Sequence, residues 1–208
     1  MCGRYVITKA KEKTSFLVKS TTNVKDEENF NAHPTQSLPI VKSYSNGKTL
    51  ELLKWGIVPS WAKQKNFRPL INARLETIDE KISFKRLIQA NRCVAVMDGF
   101  YEWKRTKEKK TPFYFKRQDN LPLFVAGIFD KNEFCLITEE ANSNVSEIHH
   151  RQPVIINESD INRYLNLELD GSSFLKECKR PKLEFYQISK EVNKPTNNSI
   201  SLIQKSSN

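Results

Sequence analysis

The sequence predicts an α+β fold: a single domain over residues 1–208, with a curved, largely antiparallel, barrel-like β-sheet core and flanking helices. Three observations point there. Strand-like apolar runs crowd the middle of the chain, helical spacing is confined to a few segments elsewhere, and the two interleave without the βαβ rhythm of a parallel sheet. The 208 residues suit one large domain, and a hydrophobic fraction of 38% can build its core, so no second domain is needed.

In chain order, the first predicted strand is 49–53, an apolar run bounded by polar and turn residues. Residues 77–89 follow with helical spacing: Ile78 and Ile82 are four apart, and Phe84, Leu87 and Ile88 keep the i, i+3, i+4 pattern of one apolar side. Residues 93–97, 113–116, 123–129 and 134–138 read as further strands, and the lysine-rich stretch 104–110 as a solubilising hairpin or loop tip. A second helix is expected over 159–165, with Ser159 as its N-cap candidate. The Ser- and Asn-rich run 197–208 is expected to fray, although Ile200, Leu202 and Ile203 could dock part of it.

Thirty-four Lys and Arg against 24 Asp and Glu give a net charge of +10. Such an excess favours a polyanionic partner, because lysine and arginine neutralise phosphates and release condensed counterions; it also reads as a solubilising surface. No apolar run is long enough to span a bilayer, and no charged segment precedes a hydrophobic signal core, so a cytoplasmic protein is expected, with no membrane partner. The Lys- and Asn-rich usage leans towards a bacterial source. Four cysteines lack zinc-ligand spacing; Cys93 and Cys135 sit inside apolar runs and read as buried core thiols, with Cys178 similar. No metal, no small-molecule cofactor and a monomer are expected.

The chain opens Met1, Cys2, Gly3, Arg4, Tyr5. Loss of the initiator methionine would leave an amine and a thiol on neighbouring carbons. An α-amino group has a pKa of about 7.7–8.0 against about 10.4 for lysine, so a sizeable part of it is nucleophilic at neutral pH. It can condense with an aldehyde to an imine, and the adjacent sulfur can then close a five-membered thiazolidine ring at high effective molarity. Cys2 also reads as a chance cysteine at a fraying terminus.

Further along, Asp98, Gly99, Phe100, Tyr101, Glu102 and Trp103 place a carboxylate among three aromatics. Strand alternation puts Phe100 and Glu102 on one face, and an inward Glu102 would have a raised pKa suited to proton transfer. The other reading is an exposed edge-strand glutamate. Asn72 and Arg74, two apart ahead of a helix, could bond a sugar and the flanking phosphate, or serve as turn and capping residues. His149 and His150 point opposite ways on an extended chain and have no third ligand nearby, so one catalytic or phosphate-binding imidazole is expected, or a structural one. Around the Gly56 and Pro59 turn, Trp55 is assigned to the core and Trp61 to the surface, where it could stack on bases. Arg4, Arg74 and Arg151 are the expected phosphate anchors.

Taken together, Met1-Cys2-Gly3-Arg4, Asn31 to Thr35, Trp55-Gly56 with Pro59-Ser60-Trp61, Asn72 to Thr77, Arg92-Cys93, Gly99 to Trp103, Ala126-Gly127 and His149 to Pro153 resemble, in order, the SRAP family of SOS-response-associated peptidases. The resemblance implies that the mature Cys2 bonds covalently to the ring-opened aldehyde of an abasic site in single-stranded DNA, in the DNA damage response, which would place the protein at the nucleoid. It makes Cys2 the nucleophile, lets Asn72 orient the sugar and the amine, and gives proton transfer to Glu102 and His149. Arg4, Trp61, Arg74 and Arg151 would grip the strand, and lyase and autoproteolytic activities come with the resemblance. After the histidine, the family pattern usually reads Asp-Arg-Met-Pro; here it is His150, Arg151, Gln152, Pro153, so His149 takes the catalytic register and Gln152 brings polarity to an apolar position. Two other classes remain: a cysteine peptidase, whose activity could be limited to removing its own first residue or residues, and a DNA-binding module without chemistry. The peptidase would need an oxyanion site, which nothing in the sequence marks; the module would read strand ends or modified bases through Trp61 and the arginines.

Overall fold

The structure, a computed structural model, describes residues 2–62 and 67–206. Its strands are β1 (Tyr5–Ile7), β2 (Ser20–Thr22), β3 (Asn29–Ala32), β4 (Ser37–Tyr44), β5 (Gly47–Trp55), β6 (Asn72–Arg74), β7 (Arg92–Met97), β8 (Gly99–Arg105), β9 (Lys110–Arg117), β10 (Leu123–Asp130), β11 (Glu133–Glu140), β12 (Arg151–Pro153), β13 (Ile155–Ile156) and β14 (Leu183–Gln187). The helices are α1 (Ala10–Thr14), α2 (Ile82–Ala90), α3 (Ser143–Ser146), α4 (Glu158–Leu165) and α5 (Gly171–Glu177). None of the described helices is long and apolar enough to cross a membrane.

Two sheets share the core. One has the order β14-β9-β8-β1-β3, and the other runs β12-β11-β10-β7-β4-β5-β2 with β6 and β13 attached to β11 and β10. Pairing is antiparallel except where β5 meets β2 and β11, and where β6 meets β11. The larger sheet curls until β11 reaches the end of β5, through Glu133 with Lys54 and Phe134 with Trp55. Two residue pairs are too short a seam for a closed barrel, so the barrel-like expectation becomes a curled sheet.

The five strands expected from the sequence lie within β5, β7, β9, β10 and β11. The expected helix over 77–89 is shorter: a 3-10 turn covers Leu75–Thr77, and α2 starts at Ile82 because Lys81 is extended. Ile78 is therefore buried ahead of the helix and Ile82 is exposed, while Phe84, Leu87 and Ile88 form the buried side. In α4 the N-cap is Asn157 rather than Ser159, and its side-chain amide donates to Lys179 O instead of capping the helix. The C-terminal run is docked through residue 206, correcting the fraying expectation for that part, while residues 207 and 208 lie outside the described residues: residues 200–203 form a 3-10 turn, Leu202 is buried, and Tyr186 donates to Ile203 O at 2.7 Å.

Cys93 and Cys135 are fully buried, as their apolar runs require. Alternation along β8 divides two hydrophobic clusters: Phe100 joins the main core with Cys2, Tyr5 and Trp55, and Tyr101 joins a smaller one with Val6, Phe30, Val192 and Leu202. Gly99 is needed for close approach, since a Cβ there would sit 2.3 Å from Phe115 O on β9. That contact sets β8, and with it Glu102, tightly against its neighbour.

Candidate active site

Four of the residues singled out from the sequence meet where β1, β6, β8 and the turn before β12 converge. Cys2 is fully buried, and its carbonyl accepts from Asn72 Nδ2 at 3.0 Å. Asn72 is held from both sides. β6 pairs with β11 through Asn72 and Leu136, and the Trp55 indole, packed on the Tyr5 ring at 5.2 Å, donates to Ile71 O at 2.9 Å. Asn72 Oδ1 is buried and has no hydrogen-bond partner among the described residues, which leaves an acceptor beside Cys2.

Glu102 is 3% exposed, which excludes the edge-strand reading. Burial pushes its carboxyl above the ordinary value, and burial together with the Glu102 charge pushes the Cys2 thiol well up. The sulfur is therefore a neutral thiol in the folded chain.

His149 follows α3, whose N-cap Asn142 accepts from Val145 N and whose last turn fixes His149 N on Val145 O at 2.9 Å. Its Nδ1 lies 3.0 Å from the N–H and 3.1 Å from the C=O of Arg151. Either tautomer thus finds a backbone partner at Nδ1, and the ring can exchange its proton without turning. Nε2 faces Glu102 Oε2 at 3.9 Å. Burial drives the imidazole down to about 4, so it is uncharged at neutral pH, and the contact is not an ion pair. The register inferred from the sequence thus places His149, rather than His150, opposite Glu102.

Arg151 is not presented to solvent. Its guanidinium makes two bonds to Glu76 at 2.7 and 2.9 Å and a third to Thr138 O at 2.8 Å, so it braces the backbone that holds His149. Gln152 is also internally matched: it accepts from Asn142 N at 3.0 Å and donates to Glu139 at 2.9 Å, which accommodates its polarity without reaching the site.

Glu102 and His149 open into a groove of about 880 Å³. Arg4, Arg68, Arg74, Arg105 and Lys110 line it, and Glu102 is the one carboxylate among its described lining residues. Two of those cations correct the reading of 104–110 as merely solubilising. The β8–β9 hairpin pairs Arg105 with Lys110 and carries both to the groove, where Lys110 Nζ stands 4.7 Å over the Trp103 ring. Continuing the strand from Glu102 into its hairpin partner was the signal in the sequence. Arg68 had none. Trp61 is 56% exposed and packs edge-on to Phe67, outside the groove lining. Among the described residues, no group of three or more His, Cys, Asp or Glu is placed to hold a metal.

A family model described as SOS response associated peptidase (SRAP) matches residues 1–195. The chain belongs to the SRAP family. This SRAP chain is 33% identical over 190 residues to the abasic site processing protein YoqW of Bacillus subtilis, covering 84% of the chain and 85% of that protein. It is 31% identical to YoaM of the same organism, over 98% and 97% of the two chains, and 28% identical to YedK of Escherichia coli, over 82% of each. YoaM and YedK are likewise described as abasic site processing proteins. A crystal structure of a Bacteroides thetaiotaomicron protein superposes with a TM-score of 0.83 at 24% identity, covering 99% of this chain and all of that one, which establishes the SRAP chain's fold.

Proposed function

We propose that the protein processes abasic sites in DNA by crosslinking its mature N-terminal cysteine to the ring-opened sugar of an abasic site in a single strand. The observation that carries this reading is the Asn72 bond to Cys2 at 3.0 Å, buried beneath a groove that Glu102 and His149 line together with five cations. The descriptions of YoqW, YoaM and YedK as abasic site processing proteins support the choice of substrate.

The reaction begins with hydrolysis of the Met1–Cys2 peptide bond, which the small Cys2 side chain permits an aminopeptidase to perform; autoproteolysis is the other route. The freed amine adds to the C1′ aldehyde of the ring-opened sugar, and the carbinolamine loses water to give an imine. The Cys2 sulfur then forms a bond to the imine carbon while its proton passes to the nitrogen, and a thiazolidine results. No oxidant or reductant is needed. Glu102, with its raised pKa, is the group that opens the sugar ring and carries protons through carbinolamine dehydration. His149 remains neutral and so places no positive charge beside an amine that must be unprotonated to attack. Asn72 Oδ1 is the acceptor that holds the amine or a sugar hydroxyl. Arg74, Arg68, Arg105 and Lys110 bind phosphates on either side.

The test is a denaturing gel of mature protein incubated with a single-stranded oligonucleotide bearing one abasic site, beside an intact strand. A heat-resistant band is expected with the abasic strand alone and is lost in Cys2→Ala. A heat-resistant band that survives Cys2→Ala contradicts the reading, as does binding without any covalent product.

A further inference from the structure

The Arg4 guanidinium reaches the groove already fastened from behind. Its Nη1 donates to Asn31 Oδ1 at 2.7 Å and to Val192 O at 2.8 Å. Asn31 is 1% exposed, and its amide turns to the same distant segment, with Nδ2 at 3.4 Å from Val192 O, 2.9 Å from Lys194 O and 3.0 Å from Asn197 O. That segment has its own moorings. Trp103 donates to Asn193 Oδ1 at 2.9 Å, the Asn198 side chain accepts from Phe30 N at 2.7 Å, and Val192 is fully buried. Pro195 forms part of the groove wall. Asn197 and Asn198 lie beyond residue 195, where the family match ends.

We propose that Asn31 is a positioning residue of the strand-binding groove and acts through Arg4. It ties residues 192–197 to the guanidinium, so that the remaining donors of Arg4 meet a phosphate with no rearrangement. A long side chain that is already fixed loses less freedom on binding than a mobile one, and a guanidinium held as a planar fork gives up little of its hydrogen-bonding geometry. The residues involved are 27 and 188 positions from Arg4 in sequence, so the arrangement exists only in the folded chain. The inference rests on the groove's binding DNA.

The experiment measures fluorescence anisotropy of an unmodified single-stranded oligonucleotide with wild type, Asn31→Ala, Arg4→Gln and the double variant, together with single-turnover capture of the abasic strand. Asn31→Ala is expected to weaken binding by about tenfold, the scale of one charge-assisted hydrogen bond. The weakening should appear in the half-saturating concentration of capture rather than in its limiting rate. If Asn31 acts through Arg4, the double variant binds no more weakly than Arg4→Gln alone. Binding by Asn31→Ala equal to wild type, or losses that multiply in the double variant, would overturn the proposal. Arg4→Lys, which leaves Asn31 in place and keeps the charge but not the fork, guards against failure of Asn31→Ala to fold: weaker binding supports the proposal, and unchanged binding overturns it. Wild type that neither binds nor captures a strand instead removes the DNA reading itself.

Discussion

His149 Nε2 stands 3.9 Å from Glu102 Oε2, and burial moves their pKa values in opposite directions, the carboxyl upwards and the imidazole down to about 4. Both shifts favour the uncharged forms. A carboxyl that holds its proton longer and an imidazole that refuses one suit a site that must pass protons without trapping the attacking amine as an ammonium.

The Glu102 shift has a stability cost with a defined sign. A raised folded pKa means that the native state binds the proton more tightly than the unfolded chain, so its contribution is present below pH 4.5 and is lost as pH rises through the folded value. Glu102→Gln should therefore melt higher than wild type at pH 7, with the gain fading as pH falls through the folded value and gone below pH 4.5, while capture slows by roughly a hundredfold or more. Thermal melts across pH and single-turnover capture check both halves; a variant that melts lower at pH 7 contradicts the burial argument.

His149 runs the other way. Its depressed folded pKa makes the unfolded chain the better proton acceptor between about 4 and 6.5, so stability is lost as pH falls through that window. Denaturant titrations at pH 7 and pH 4 should show His149→Gln gaining on wild type at the acid end. An equal change in both proteins would mean that the imidazole is ordinary.

Arg151 and Glu76 make a structural prediction. Arg151 is 8% exposed, so Glu76→Ala strands a largely buried guanidinium and should cost about 2 kcal/mol, below the range for fully buried pairs because Glu76 is itself partly solvated. The salt dependence of DNA binding should stay as in wild type, since Arg151 is outside the groove lining. A changed slope would return Arg151 to the role of phosphate anchor.

The groove cations predict the reverse pattern. Arg74→Gln, Arg105→Gln and Lys110→Gln should each reduce the slope of log affinity against log salt by about 0.7 on a single strand. Their melting temperatures should barely move. A slope indifferent to all three substitutions would place the strand elsewhere on the surface.

Much of the frame was legible from periodicity alone. Alternation after Gly99 put Glu102 on the face of Phe100 without deciding whether that face was inward, and the strands from β7 to β11 are long apolar runs between turns, apart from the polar-ended β8 and β9 hairpin. Strands β1 to β3 were not, since they are three or four residues long and take their order from distant partners such as Phe100, which pairs with Tyr5. Arg151 and Arg74 look alike in sequence as well. What separates them is Glu76, 75 positions from Arg151, and a lone sequence holds no sign of that pairing. The bond between Asn72 Nδ2 and the Cys2 carbonyl spans 70 positions and had no sign in the sequence; the family resemblance named both residues without pairing them.

The central claim is that the amine and thiol of Cys2 together trap an aldehyde carbon. Intact-mass analysis of the processed protein after incubation with an abasic single strand tests it most directly. The account predicts one species lacking Met1 and, after heating, one adduct whose mass is the sum of protein and oligonucleotide less one water, absent from Cys2→Ala. Retention of Met1 on protein that still captures the strand, or a heated adduct of the same mass on Cys2→Ala, would contradict it.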